Sequence, residues 1–598
     1  MDSKTNKVMF KLDYLIVIAI WLLIFGNLAF SSLMLVDYTP SAVNDLTKNL
    51  EMNNYTGVLN LFELFKLISV YLNFWSFVAQ LSMLILMLVS YFYIKKLCFK
   101  LDKGLLFSIL FALVFFFNPF VYSRIMVGQF GVLYSYLLMP VFVYYLFAFF
   151  ESKFNIVSII KMVFALTIAS TFSIHFFALN FILFIVASFW FYYYDKFSLK
   201  KFAFAFVLFA VFAVLINLFW LQGIFSNPIF SVIDAQHESF FSPKFSEDVP
   251  AVSKIMGMYG FWREVGYNVL YKSVNVAVWY LLVLILVVLM LVGYYSNNKD
   301  KVSRFFYSLF WIGLILGTGI SHPYTSPIFD FFFKNIPFFN GFRDSHKFVS
   351  LIALSYAYLV PLGLIRIKDY FADKFNGKDA KKLVAFVFIL LFLQFALFYN
   401  SPMIFLGGQI KSVSYPNSYF SVGNYLDTQN SRGYAIYLPW QLYMTYSWTY
   451  GSSSDGRIAV PVNRISGQMI ITGIDRYSSS SGLINQISSC LRSKDVKCLE
   501  NSGVEYVLKD RCAYFPDNYS WLESNISPVY KTSCIDVYKL NNKVDAINPE
   551  MPYRFILGLS ISILSALLLV LAVIYYRKSN REQKSILQYT SKKPNLNK

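Results

Sequence analysis

In a chain that is 57% hydrophobic and only 14% charged, ionisable side chains stand out where they gather. They gather in NGFRDSHKF, which sets Arg343, Asp344, His346 and Lys347 between an aromatic run and an apolar one. Phe348 to Ile365 reads as a helix, so Asp344 or Ser345 can cap it, and Arg343 and Lys347, four residues apart, can converge on one side. A helix N-terminus already favours anions through its free N–H groups. Adding a guanidinium and an ammonium makes a phosphate or pyrophosphate site, with His346 as a further donor. The competing reading pairs Arg343 with Asp344 and lets Lys347 snorkel.

A base is offered elsewhere. Asp37 follows directly on the first apolar run and Asp45 comes eight residues later. A carboxylate at the top of a helix can take a proton from a hydroxyl, or hold a divalent cation such as Mg or Mn beside a phosphate. It can also simply end the helix at the interface. NPFVYSRIMVGQFG supplies Arg124, a second cation that can share a head group with Arg343 or pair with an acid. DAQHE supplies Asp234, His237 and Glu238, candidates for an acceptor or metal side unless they are a solvated loop, and FWRE supplies Arg263 and Glu264.

The elements that must position these groups are apolar helices. Twelve runs along the chain are apolar enough to cross roughly 30 Å of hydrocarbon, and mean hydropathy is +0.53, so the chain reads as a polytopic α-helical membrane protein. With its N-terminus inside, the inner segments hold 27 Lys and Arg against 10 in the shorter outer loops. That asymmetry puts both termini in the cytoplasm and the protein in the plasma membrane. The net charge of +19 is thus topological and attracted to membrane lipids; it does not point to nucleic acid. The first run lacks a small-residue cleavage site and reads as an uncleaved helix.

The layout has eleven helices over residues 1–399, with outer loops 36–66, 118–131, 226–275 and 321–347. An extracytoplasmic α/β or α+β domain follows over 400–551, then a last helix over 552–576 and a basic cytoplasmic tail over 577–598. Arg432 to Trp440 and Gly503 to Asp510 read as strands, and Gly482 to Ser502 as a helix feeding the second strand. Cys490, Cys498, Cys512 and Cys534 fall in this domain and Cys98 alone falls inside. Without C-x-x-C spacing or a nearby His they read as disulfides, nearest neighbours paired. Sequons at Asn54, Asn518 and Asn525 lie on the same side, as in a glycoprotein.

The uncleaved first helix with an acid just outside it, about a dozen spans and the C-terminal outer domain together resemble the GT-C class of polyprenyl-phosphate-sugar-dependent glycosyltransferases. NPFVYSRIMVGQFGVLYSYLLMPVFVYYL, FRDSHKF and LENSGVEYVLKD are similar to its YfhO-like and arabinofuranosyltransferase-like relatives. The resemblance implies a lipid-linked sugar donor and a glycan, glycolipid or glycoprotein acceptor. It makes Asp37 the base, with Asp45 as a replacement, and Arg343 and Lys347 the donor-phosphate cations. The first outer loop departs from the family's metal-assisted pattern, having no paired Asp-x-Asp or Glu-x-Asp. A transporter or flippase of lipid-linked precursors is the competing class, and a non-catalytic envelope assembly protein a third. Transporters place ionisable groups within their helices; here the spans hold few, chiefly Lys161 and His175, which favours chemistry at a face.

Overall fold

The computed structural model describes residues 3–40, 68–69, 71–72, 75–226, 239–243, 249–375, 377–429, 433–449, 456–461, 470–473, 482–514, 519–541 and 553–591. Asp45, Asp234, His237, Glu238, Asn54 and Asn518 lie outside them.

A helix occupies each of the twelve apolar runs, but not all are full-length spans. Among the described residues eight helices are long and apolar enough to cross a membrane. A ninth span arises if Gly104–Phe116 and Pro119–Val127, bent by 41°, count as one. The break is encoded at Asn118-Pro119: proline cannot donate to the preceding turn, and Asn118 caps the new helix, its Oδ1 accepting from Val121 N at 3.0 Å. Leu12–Leu28 and Ile156–Phe172 are shorter apolar helices. The chain is a multi-pass membrane protein with an added domain.

Packing is closest between Val276–Ser296 and Val349–Ala372. A Cβ on Gly293 would come within 2.1 Å of Leu359 O, and one on Gly363 within 1.9 Å of Leu289 O. Bare glycines on both helices let the backbones meet, as membrane helix pairs require in place of a hydrophobic drive. At one end of the bundle Asp13 accepts from Tyr91 and pairs with buried Lys95. Both charges fall just beyond the apolar runs, so hydropathy alone gave no sign that they meet.

The added domain carries a five-stranded sheet in the order β4-β1-β5-β7-β6. Strands β1 (Tyr434–Leu438), β4 (Ile470–Ile471) and β5 (Val504–Asp510) run parallel; β7 (Ile535–Lys539) pairs antiparallel with both β5 and β6 (Tyr530–Lys531). A separate hairpin pairs β2 (Tyr443–Thr445) with β3 (Arg457–Ala459). Both expected strands form, buried along most of their length as parallel strands are. The expected single helix is two, Gly482–Ser493 and Val496–Asn501, because Lys494 takes φ of 57° and Asp495 starts a new cap. Cys490–Cys498 closes across that break, and Cys512–Cys534 joins the end of β5 to the start of β7. Cys98 is free and buried.

Candidate active site

The short helix Pro119–Val127 ends at Gly128, whose φ of 82° closes it. A Cβ there would strike Leu35 and Tyr38 at under 3 Å, so the glycine also makes room for the loop after the first helix. That loop docks through Asp37 N to Val127 O at 2.8 Å, and Leu35 bridges Tyr38. The side chain of Asp37 therefore sits beside Gln129. Gln129 Nε2 donates to Asp37 Oδ2 at 2.9 Å, and the Tyr443 hydroxyl, from the hairpin of the added domain, donates to Oδ1 at 3.3 Å.

Asp37 is exposed, although protein packs closely around its carboxyl, and its neighbour Val36 lines a cleft. Burial raises its carboxyl above the usual range, opposed by the Gln129 hydrogen bond, the nearby Arg263 charge, Tyr443 and Arg124. Solvent exposure moderates that rise.

Behind Gln129 lies a closed ionic network. The fully buried Arg124 donates to Gln129 Oε1, to Asp344 Oδ2 at 2.7 Å and toward His346 Nδ1 at 3.1 Å. Arginine can only donate, so His346 Nδ1 accepts and the neutral ring keeps its proton on Nε2. The guanidinium also rests between the rings of Phe120 and Phe261, at 5.2 and 4.5 Å. Lys347 reaches Asp344 at 3.3 Å. Burial pushes the Asp344 carboxyl up, but Arg124 and Lys347 outweigh it and hold it well below the ordinary carboxylate range. A buried guanidinium without such a partner would cost several kcal/mol, roughly.

Neither Asp344 nor Ser345 caps the following helix: a 3-10 turn over Ser345–Phe348 intervenes, without a side-chain cap, and the α-helix begins at Val349. Asp344 is drawn instead to Arg124 and Lys347, the stronger partners. Ser345 donates to Gly317 O at 3.0 Å. His175, at the start of His175–Asp195, meets Gly341 O at 2.9 Å and so pins this same loop. Lys161 is exposed on its helix.

Of the four cations and donors expected to hold a phosphate, Arg124, Lys347 and His346 are thus bound into one network. Arg343 stands apart. It is half-buried, lies over the Phe241 ring at 4.8 Å and has no ion pair among the described residues. Phe241 in turn packs edge-on against Trp262 at 4.7 Å, and the Arg263 guanidinium lies over Trp262 at 4.8 Å. Glu264, its neighbour, is structural: it accepts from Gly260 N, Phe261 N and the Tyr271 hydroxyl and holds the loop in shape.

Between this loop, Val36 and the hairpin of the added domain opens a cleft of about 340 Å³, lined in part by Trp262, Arg263, Tyr267 and Arg457. Gln129 and Tyr443 beside Asp37, and Arg263 and Arg457 on this cleft, acquire their places only through the fold. Gln129 had a signal, since it follows the glycine that ends a short helix; Tyr443, one of 44 tyrosines, had none. Among the described residues no three His, Cys, Asp or Glu side chains gather as a metal would need. The described residues therefore offer no ligand set for Mg or Mn.

No protein-family model matches the chain, and no curated protein matches it. Among solved structures it is similar to the arabinofuranosyltransferase AftD from Mycobacteria, with a TM-score of 0.59 and 13% identity over 89% of this chain and 40% of that one. A mutant of the same enzyme gives a TM-score of 0.54 at 12% identity, over 88% of this chain and 41% of that one. ArnT from Cupriavidus metallidurans lies further off, at a TM-score of 0.39 and 9% identity over 90% of this chain and 98% of that one. The chain therefore spans about two fifths of the length of AftD. Identity this low speaks of architecture alone, and in architecture the chain shares the fold of the matched part of AftD.

Proposed function

We propose that the chain is a membrane glycosyltransferase that moves a sugar from a polyprenyl-phosphate-linked donor to a glycan, glycolipid or glycoprotein acceptor at the outer face. The observation that carries this reading is Asp37: an exposed carboxylate beside a cleft that Val36 and Arg263 line, oriented by Gln129 and Tyr443, with the Arg263 and Arg124 charges acting on it. The fold shared with the arabinofuranosyltransferase AftD supports it.

In the reaction, the acceptor hydroxyl oxygen bonds to the anomeric carbon of the donor sugar while its proton passes to Asp37. The anomeric carbon–oxygen bond to phosphate breaks, and the phosphate leaves with the electron pair. Arg343 stabilises that developing charge, being the cation of FRDSHKF not committed to the Asp344 network. Lys347 and Arg124 add their positive field from behind, and His346 holds Arg124 in place. The two disulfides support an added domain on the oxidising side of the membrane, with cytoplasmic termini.

The test incubates the purified full-length chain with polyprenyl-phosphate hexoses and pentoses and measures free polyprenyl phosphate. Release from at least one donor is expected. No release from any donor, together with movement of lipid-linked precursor across vesicles carrying the protein, would assign it to the transporters instead.

A further inference from the structure

The cleft beside Asp37 has an unusual polar lining. Its described polar side chains are Arg263 and Arg457, the indole of Trp262 and the phenol of Tyr267. Arginine and tryptophan only donate hydrogen bonds, and among these four only the phenol oxygen can accept one. A neutral sugar presents hydroxyls that donate as well as accept, and sites for such sugars need carboxylates or amides on their walls. This wall instead carries donors, among them the guanidinium groups of Arg263 and Arg457.

Arg263 Nη1 and Trp262 Nε1 are both buried with no hydrogen-bond partner among the described residues. Buried polar atoms are nearly always satisfied, and both residues line this cleft, so a ligand there that draws these donors toward it and supplies acceptors would satisfy them. A carboxylate or phosphate supplies them and neutralises charge at the same time. Arg457 enters from β3 of the added domain, so the cleft is bounded by that domain on one side. The lipid-linked donor of the proposed reaction is placed at Arg343, beyond the Phe241–Trp262 pair.

We infer that this cleft is the acceptor site and that it selects an acceptor carrying an acidic group, a carboxylate or a phosphate, near the hydroxyl that faces Asp37. The inference rests on the glycosyltransferase reading for the word acceptor, but the preference for an acid can be measured without turnover.

The experiment titrates methyl glucuronide, glucose 1-phosphate and methyl glucoside into the detergent-solubilised full-length chain, following tryptophan fluorescence or heat. The two acidic sugars are expected to bind at least about tenfold more tightly than the neutral one. Arg457→Gln is expected to bring that ratio to within about twofold, and Arg457→Lys, which keeps the charge but not the fork, to leave part of it. Equal binding of acidic and neutral sugars by the wild type would overturn the inference, even where polyprenyl phosphate is still released. A second arm uses the wild type alone: methyl glucuronide should not compete with the lipid-linked donor. Competition would show that the cleft holds the donor's own phosphate and would overturn the assignment to the acceptor. Failure of every donor in the turnover assay would remove the glycosyltransferase reading while leaving the acid preference measured.

Discussion

At the scale of single residues, the balance around Asp37 is a set of opposed forces with a readable sign. Burial raises its carboxyl, and Gln129 and Arg263 lower it. As a base it must be ionised, so kcat should fall as pH drops through that raised value, with an acid limb above the ordinary carboxylate value of about 3.9. Arg263→Gln and Gln129→Leu each remove a lowering influence and should move the limb to higher pH. Gln129→Leu should also lower kcat by about tenfold or more, the order expected for a hydrogen bond to a charged group. A pH–rate profile of each variant checks this, and a limb that stays in place would mean that neither side chain acts on the base. Asp37 itself was legible from its position after the first apolar run. Its orientation was not, because the two donors that set it come from a loop 92 residues away and a hairpin 406 residues away.

Between elements, charge and close contact do different work. Asp344 ties the start of one helix to the short helix that carries Arg124, and Asp344→Asn would leave two buried cations short of their counter-ion. A loss of about 3–5 kcal/mol is expected, read by thermal unfolding in detergent. Because the folded carboxyl is held low, its stabilisation is complete above about pH 4 and is lost only as pH falls through the depressed value. Gly363→Ala tests the other kind of contact: its Cβ would lie 1.9 Å from Leu289 O, so the helices must separate. Loss of folded protein is expected, whereas substitution at Gly377, with no atom within 4 Å, meets only its own backbone strain. Apolar length located the helices because hydropathy is a local property, although among the described residues eight, or nine with the bent pair, are long and apolar enough to span. Arg124 remained ambiguous between an acid and a head group because pairing across 220 residues leaves no local trace. For the same reason the chain reads as if Asp344 could cap a helix, while the fold spends it on a distant guanidinium.

For the whole molecule, sidedness and chemistry are joined. If the added domain faces the oxidising side, non-reducing peptide maps should show Cys490 joined to Cys498 and Cys512 to Cys534. An impermeant maleimide applied to intact cells should then label these four positions only after reduction. Labelling solely from the cytoplasmic side of inverted vesicles would reverse the topology and remove the outer-face mechanism. The succession of apolar runs made the membrane architecture legible; the hairpin β2–β3, three residues in each strand, is too short to show a pattern, although it delivers Tyr443 to Asp37 and Arg457 to the cleft. The central claim, that Asp37 is the base of a sugar transfer, is tested most directly by comparing wild type with Asp37→Asn for release of polyprenyl phosphate from the best donor in the presence of acceptor. A base at this position predicts a fall in kcat of about 10²- to 10⁴-fold with donor KM little changed. Turnover by Asp37→Asn at the wild-type rate would contradict it.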